Sequence, residues 1–153
     1  MGRIVTIITF WAASLAPPAP DPAYRADIEK WAEAILASGA KLVDLGADFR
    51  LHDPQDYATW YGETHQAPHL LDRFVYGIPE LNREGVRGAK SVAAAGCYAT
   101  AAILALKPLV DAKLINADSI IVDAASGVSG AGREAKEGTG FSTVDGSFAA
   151  YGL

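Results

Sequence analysis

A single cysteine, Cys97, stands in the run Ala95-Gly96-Cys97-Tyr98-Ala99-Thr100. A thiol placed after a glycine, at the head of an apolar alanine-rich stretch, can do acyl-transfer chemistry. The unpaired N–H groups and positive dipole end of a helix N-terminus favour a thiolate over a thiol. The same N–H groups can hold the oxyanion that develops on an attacked carbonyl. Gly96 lets the backbone approach a substrate closely, and Thr100 can add a hydroxyl to the first turn. The competing reading is a small buried apolar cysteine, which is common; position alone does not separate the two. Downstream, Ser129-Gly130-Ala131-Gly132 offers backbone N–H groups that can cradle a phosphate or pyrophosphate, or forms a plain strand-end turn. Arg50 and Arg133 are candidate clamps for a carboxylate or phosphate, because guanidinium pairs bidentately with such groups. Each can equally be half of a surface salt bridge. Asp48 and Glu80 read as plain loop carboxylates or, less simply, as orienters of these groups. His52, His65 and His69 read as solvated loop residues, and Trp60, Tyr61 and Tyr76 as aromatics packing a loop.

The elements that must position these residues alternate between helix and strand. Residues 24–38 read as a helix, with Ile28, Trp31, Ala32, Ile35 and Leu36 on one face. Asp21 suits its N-cap, Pro22 its first turn and Gly39 a left-handed C-cap. Lys41–Leu45 follows as a strand. Residues 46–66 read as loop, 73–76 as a short strand, and 79–88 as a loop with one helical turn. Residues 91–95 read as a strand of small residues, and 97–110 as a helix ending near Pro108. Residues 120–124 read as another strand, 126–132 as a Gly/Ser loop, and 142–151 as extended or loop. This succession predicts an α/β layered fold, with a boundary near residues 94–96.

The first 21 residues are set apart. Arg3 precedes an apolar run from Ile4 to Leu15, followed by a stretch with prolines at 17, 18, 20 and 22. The run is too short for a membrane-spanning helix. Its charged start and short apolar core resemble a signal peptide, but the prolines spoil the cleavage positions. The favoured reading is a buried strand over 4–10, or a lead foreign to the fold.

The chain has 153 residues, of which 50% are hydrophobic and 20% charged, close to ordinary globular usage and unlike a disordered chain. A net charge of −5 and a pI near 5.1 speak against nucleic acid as partner. One cysteine excludes an internal disulfide framework and a Cys-rich zinc site, and no metal is expected.

Four blocks carry a family resemblance. Val92-Ala93-Ala94-Ala95-Gly96-Cys97-Tyr98-Ala99-Thr100-Ala101, continuing to Pro108, resembles the active-site signature of N-acetyl-gamma-glutamyl-phosphate reductase. Val43-Asp44-Leu45-Gly46-Ala47-Asp48-Phe49-Arg50-Leu51, Tyr76-Gly77-Ile78-Pro79-Glu80-Leu81 and Ser126-Gly127-Val128-Ser129-Gly130-Ala131-Gly132-Arg133 resemble three further blocks of the family, in the same order. The resemblance covers residues 36–151. It implies a Rossmann-like NAD(P)-binding domain over 22–93, then the start of a glyceraldehyde-phosphate-dehydrogenase-like catalytic domain over 94–153, with 1–21 as a non-family lead. It implies a cytoplasmic, NADPH-dependent reductive dephosphorylation of N-acetyl-glutamyl 5-phosphate to the semialdehyde, a step of arginine biosynthesis. In that chemistry the Cys97 thiolate expels phosphate and leaves a thioester, and hydride from NADPH reduces it. The resemblance implies that the Ser129–Gly132 loop lies against the cofactor; Arg50 and Arg133 stay the candidate substrate clamps on their chemistry, and the family suggests a homo-oligomer without membrane or nucleic-acid partners.

The sequence also departs from the family pattern. Asn-Pro before the Gly-Cys pair is Ala94-Ala95 here, and a family serine is Gly46. No G-x-G-x-x-G fingerprint precedes Leu36, and the family's His-Arg-His stretch has no match. The expectation is an internal piece of the enzyme with little or no reductase turnover alone, since loss of general acid–base help costs about 10²–10⁴-fold. Two other readings stay open: a non-catalytic fragment that associates through uncovered apolar surface, and a related acyl-phosphate reductase of the aminoadipate type.

Overall fold

A computed structural model of the protein describes residues 4–5, 31–62, 64–125, 127–130 and 137–147. These residues divide after Val122 into two compact units.

The first unit is built on a parallel sheet of four strands, β1 (Ile4–Val5), β2 (Lys41–Asp44), β3 (Val75–Gly77) and β4 (Ser91–Ala94), in spatial order β1-β2-β4-β3. All three pairings are parallel, with Asp44 opposite Ala93 and Gly77 opposite Ala94. β2, β3 and β4 therefore finish level with one another, and the loops leaving β2 and β4 emerge side by side. Ile4 and Val5 pair with Lys41 and Leu42, so the start of the apolar lead forms a strand; the rest of the lead lies outside the described residues.

Residues 31–37 form helix α1, which ends at Gly39 with φ +78°. The expected apolar face is only partly buried: Ala32 and Leu36 pack into the core, whereas Trp31 is 65% exposed. The loop expected over 46–66 instead contains helix α2 (Pro54–Tyr61). Its signals are local. The Asp53 side chain accepts from Gln55 N at 2.8 Å, Pro54 fills the first turn, and Gly62 closes the helix at φ 72°. Likewise 79–88 is helix α3 (Pro79–Gly88), with a break at Asn82, whose side chain accepts from Gly85 N. A 3-10 helix (Pro68–Arg73) leads into β3.

Helix α4 (Cys97–Asp111) runs through Pro108 rather than ending there. Pro108 removes one N–H in the last turn, while a Lys107–Asp111 pair and a Leu114 N–H donated to Leu109 O hold that turn closed. The strand expected over 120–124 does not form; Ile121 is 93% exposed, and no described strand pairs with this run. The core of the unit gathers Leu36, Leu42, Phe49, Leu71, Phe74 and Ala93. The second unit holds single-turn 3-10 helices at Val128–Gly130 and Glu137–Thr139, and a short helix α5 (Phe141–Val144) where an extended segment or a loop was expected.

Candidate active site

Cys97 is the first residue of α4, is exposed and is a free thiol. The chain enters the helix through Gly96, which has extended backbone and no side-chain cap. The Thr100 N–H is donated to Gly96 O at 2.8 Å. Exposure removes the reading of Cys97 as a buried apolar packing residue.

Arg50 meets this turn from the loop after β2. Its Nε–H is donated to Ala94 O at 2.8 Å, and Nη2 reaches Leu45 O at 3.4 Å. A Cβ placed on Gly96 would stand 3.2 Å from Nη1. The guanidinium thus lies against the residue that precedes the sulfur, and the absence of a side chain at 96 lets it lie there. Ala94, which stands where the family has asparagine, is tied down by this bond to its carbonyl.

Two carboxylates sit behind the guanidinium. Asp44 ends β2 and is buried, with Oδ1 accepting from Gly46 N at 2.8 Å and Oδ2 buried with no hydrogen-bond partner among the described residues. A Cβ on Gly46 would meet Asp48 Oδ2 at 2.5 Å and Asp44 Oδ1 at 3.0 Å. The bare Gly46 therefore leaves room for both acids to converge on one point. Burial, and then the neighbouring charge of Asp48, push the Asp44 carboxyl up to about 6, against the opposing pull of the Gly46 N–H and the Arg50 charge. Asp48 is buried, unlike a plain loop carboxylate.

His65 corrects the expectation of a solvated loop histidine: it is only 8% exposed. Its Nδ1 accepts the Ala67 N–H at 3.1 Å, which leaves the proton on Nε2, 2.6 Å from the Asp48 carbonyl. The ring stands edge-on to Tyr57 and Phe49, with centroids 4.6 and 5.7 Å away, and Phe49 stacks on Phe74 at 3.9 Å. Tyr57 is itself buried, and its hydroxyl accepts the Leu51 N–H at 3.0 Å. His52 and His69 are exposed, beside Asp72 and Glu33. Trp60 is 76% exposed and packs no loop. Neither Tyr57 nor His65 stood out in the sequence; the only signal was the density of aromatics between Tyr57 and His65.

In the second unit, Ser129 and Gly130 lie in the turn Val128–Gly130, and the Gly130 N–H is donated to Gly127 O at 2.9 Å. That bond closes the turn and occupies the Gly130 N–H. Ala131, Gly132 and Arg133 lie outside the described residues.

Two family models match the chain: "Semialdehyde dehydrogenase, NAD binding domain" over residues 25–89 and "Semialdehyde dehydrogenase, dimerisation domain" over 97–153. Curated relatives named N-acetyl-gamma-glutamyl-phosphate reductase are similar over about four-fifths of the chain. That of Symbiobacterium thermophilum is 52% identical over 122 residues, covering 80% of this chain and 35% of the relative. A Psychrobacter protein is 46% identical over 127 residues, covering 80% and 36%, and one from Halorhodospira halophila 49% over 121, covering 79% and 35%. The chain spans about a third of the length of these relatives.

Proposed function

Because the chain belongs to the N-acetyl-gamma-glutamyl-phosphate reductase family of semialdehyde dehydrogenases, we propose that it serves the reductive dephosphorylation of N-acetyl-glutamyl 5-phosphate, with Cys97 as nucleophile and NADPH as reductant. The observation that carries this reading is an exposed sulfur on the first residue of α4 with the Arg50 guanidinium against the residue before it.

The Cys97 sulfur attacks the acyl carbon. A C–S bond forms, the C–O bond to phosphate breaks, and phosphate leaves with the electron pair. N–H groups of the first turn of α4 face the oxyanion, and Arg50 pairs with the carboxylate or phosphate of the substrate. Arg133 is proposed as a second clamp. The parallel strands present the carboxyl-end edge at which nucleotides bind in such sheets, and the family resemblance puts a Gly-rich loop of this kind against the nicotinamide. We assign Ser129, Gly130, Ala131 and Gly132 to that contact. When bound, NADPH supplies the hydride that takes the acyl group to the aldehyde.

We divide the chain between residues 93 and 94 into a nucleotide domain and a catalytic domain, a cut that falls in the stretch between the end of one family model at 89 and the start of the other at 97. The match to a dimerisation domain, and the exposure of Leu109, Val110 and Leu114 on and just after α4, support a homo-oligomer. Among the described residues no helix is long and apolar enough to cross a membrane. On the family resemblance alone we propose a cytoplasmic location.

The test is phosphate release. With N-acetyl-glutamyl 5-phosphate and no nucleotide, the protein should free about one phosphate per chain in a single burst, and Cys97→Ser should free none. No release, or equal release from the Ser variant, overturns the reading.

A further inference from the structure

We propose that His65, with Tyr57, is a positioning residue that holds the Arg50 guanidinium beside the Cys97 turn. The proposal rests on the reading of Cys97 as nucleophile and Arg50 as anion clamp. Arg50 comes from a loop, not from a strand or helix, so something must fix that loop before the guanidinium can be fixed. Two bonds from the aromatic cluster do so on either side of it. His65 donates Nε2–H to the Asp48 carbonyl, two residues before Arg50, and the Tyr57 hydroxyl accepts the N–H of Leu51, the residue after it. His65 is in turn held by the Ala67 N–H and by the rings of Tyr57 and Phe49. Phe49 stacks on Phe74, which is anchored directly before β3. The segment 48–51 is thus stapled at both ends to the core. Its one long cationic side chain is turned the other way, towards Ala94 O and Gly96.

A buried histidine in such a place can also be explained as packing alone. The two roles differ in what they do to Cys97. A guanidinium near the sulfur speeds alkylation by an anionic reagent relative to a neutral one. The iodoacetate-to-iodoacetamide rate ratio at Cys97 therefore reads the placement of Arg50 and is insensitive to general loosening. Arg50→Met should lower this ratio about fivefold, the effect of one nearby charge in a solvent-exposed site. His65→Phe keeps the ring and loses both hydrogen bonds; it should lower the ratio by most of that factor. His65→Gln, whose Nε2–H can still donate to the Asp48 carbonyl, should restore it to within about twofold of the parent. Added to Arg50→Met, His65→Phe should change nothing further, because its effect passes through Arg50.

If Arg50→Met lowers the ratio and His65→Phe leaves it unchanged, or lowers it equally without Arg50, His65 is not a positioning residue. If His65→Phe does not fold, Tyr57→Phe carries the test. It should give a partial fall that vanishes in the Arg50→Met background, and an unchanged ratio overturns the proposal. An unchanged ratio in Arg50→Met itself removes the clamp reading, and the proposal with it.

Discussion

Asp44→Asn is the substitution whose outcome the geometry fixes most closely. The Asp44 carboxyl is buried at the end of β2 with one oxygen bonded to the Gly46 N–H and the other without a hydrogen-bond partner among the described residues. Burial and the Asp48 charge raise it from 3.8 to about 6. Between those values the folded chain holds a proton that the unfolded chain has released, so stability falls as pH rises through the window and then levels off. The full fall is about 3 kcal/mol at the usual cost per pH unit. Asparagine has the same shape and never ionises. Its constant costs, a weaker bond to Gly46 N and an amide group at the unpartnered position, do not change with pH. The difference in unfolding free energy between Asp44→Asn and the parent should therefore shift by about 2.5 kcal/mol in favour of the variant between pH 4 and pH 8, the rest of the fall lying below pH 4. Urea unfolding followed by far-ultraviolet circular dichroism at several pH values measures it, and titrating groups that do not interact with Asp44 cancel in the comparison. Asp48→Asn, which removes the second cause, should narrow the window from its upper end. Parallel stability curves for parent and Asp44→Asn across this range would refute the buried-charge reasoning.

Phe49→Ala should cost about 3–5 kcal/mol in the same assay, because Phe49 is buried in the core and stacks on Phe74; a loss under 1 kcal/mol would contradict the packing described. Asp53→Ala removes the N-cap of α2 and should cost about 1 kcal/mol, read as a small drop in the thermal midpoint with the same native spectrum.

Much of the sheet was legible because its signals are local. Gly39 does end a helix, 41–44 and 91–94 are strands, and the thiol does open a helix. The misses have physical causes. Asp53-Pro54 and Gly62 are ordinary start and stop signals, but α2 buries only Tyr57, so its apolar periodicity is too faint to suggest a helix. The run 120–124 has strand composition, yet a strand also needs a neighbour, and no described strand lies beside it. Pro108 suggested a helix end because its cost is visible in sequence, whereas the local contacts that offset it, the i,i+4 Lys107–Asp111 pair and the closing bond of Leu114, show only once the helix is formed. At the site, Cys97 and Arg50 were legible as residue types. Their approach was not, since it depends on β2 and β4 being neighbours in space across forty-odd residues. The burial of His65 could not be read either, because polarity in a loop says nothing about which side chain the core will claim.

The central claim is that one sulfur, on Cys97, takes the acyl group. Intact-mass and peptide spectrometry of the chain after brief exposure to N-acetyl-glutamyl 5-phosphate, without nucleotide and quenched in acid, locates that group directly. The expected result is a single N-acetylglutamyl adduct on the peptide carrying Cys97, removed by hydroxylamine as a thioester is. A chain that stays unmodified, or that carries the acyl group on lysines and keeps it in Cys97→Ser, would contradict the assignment.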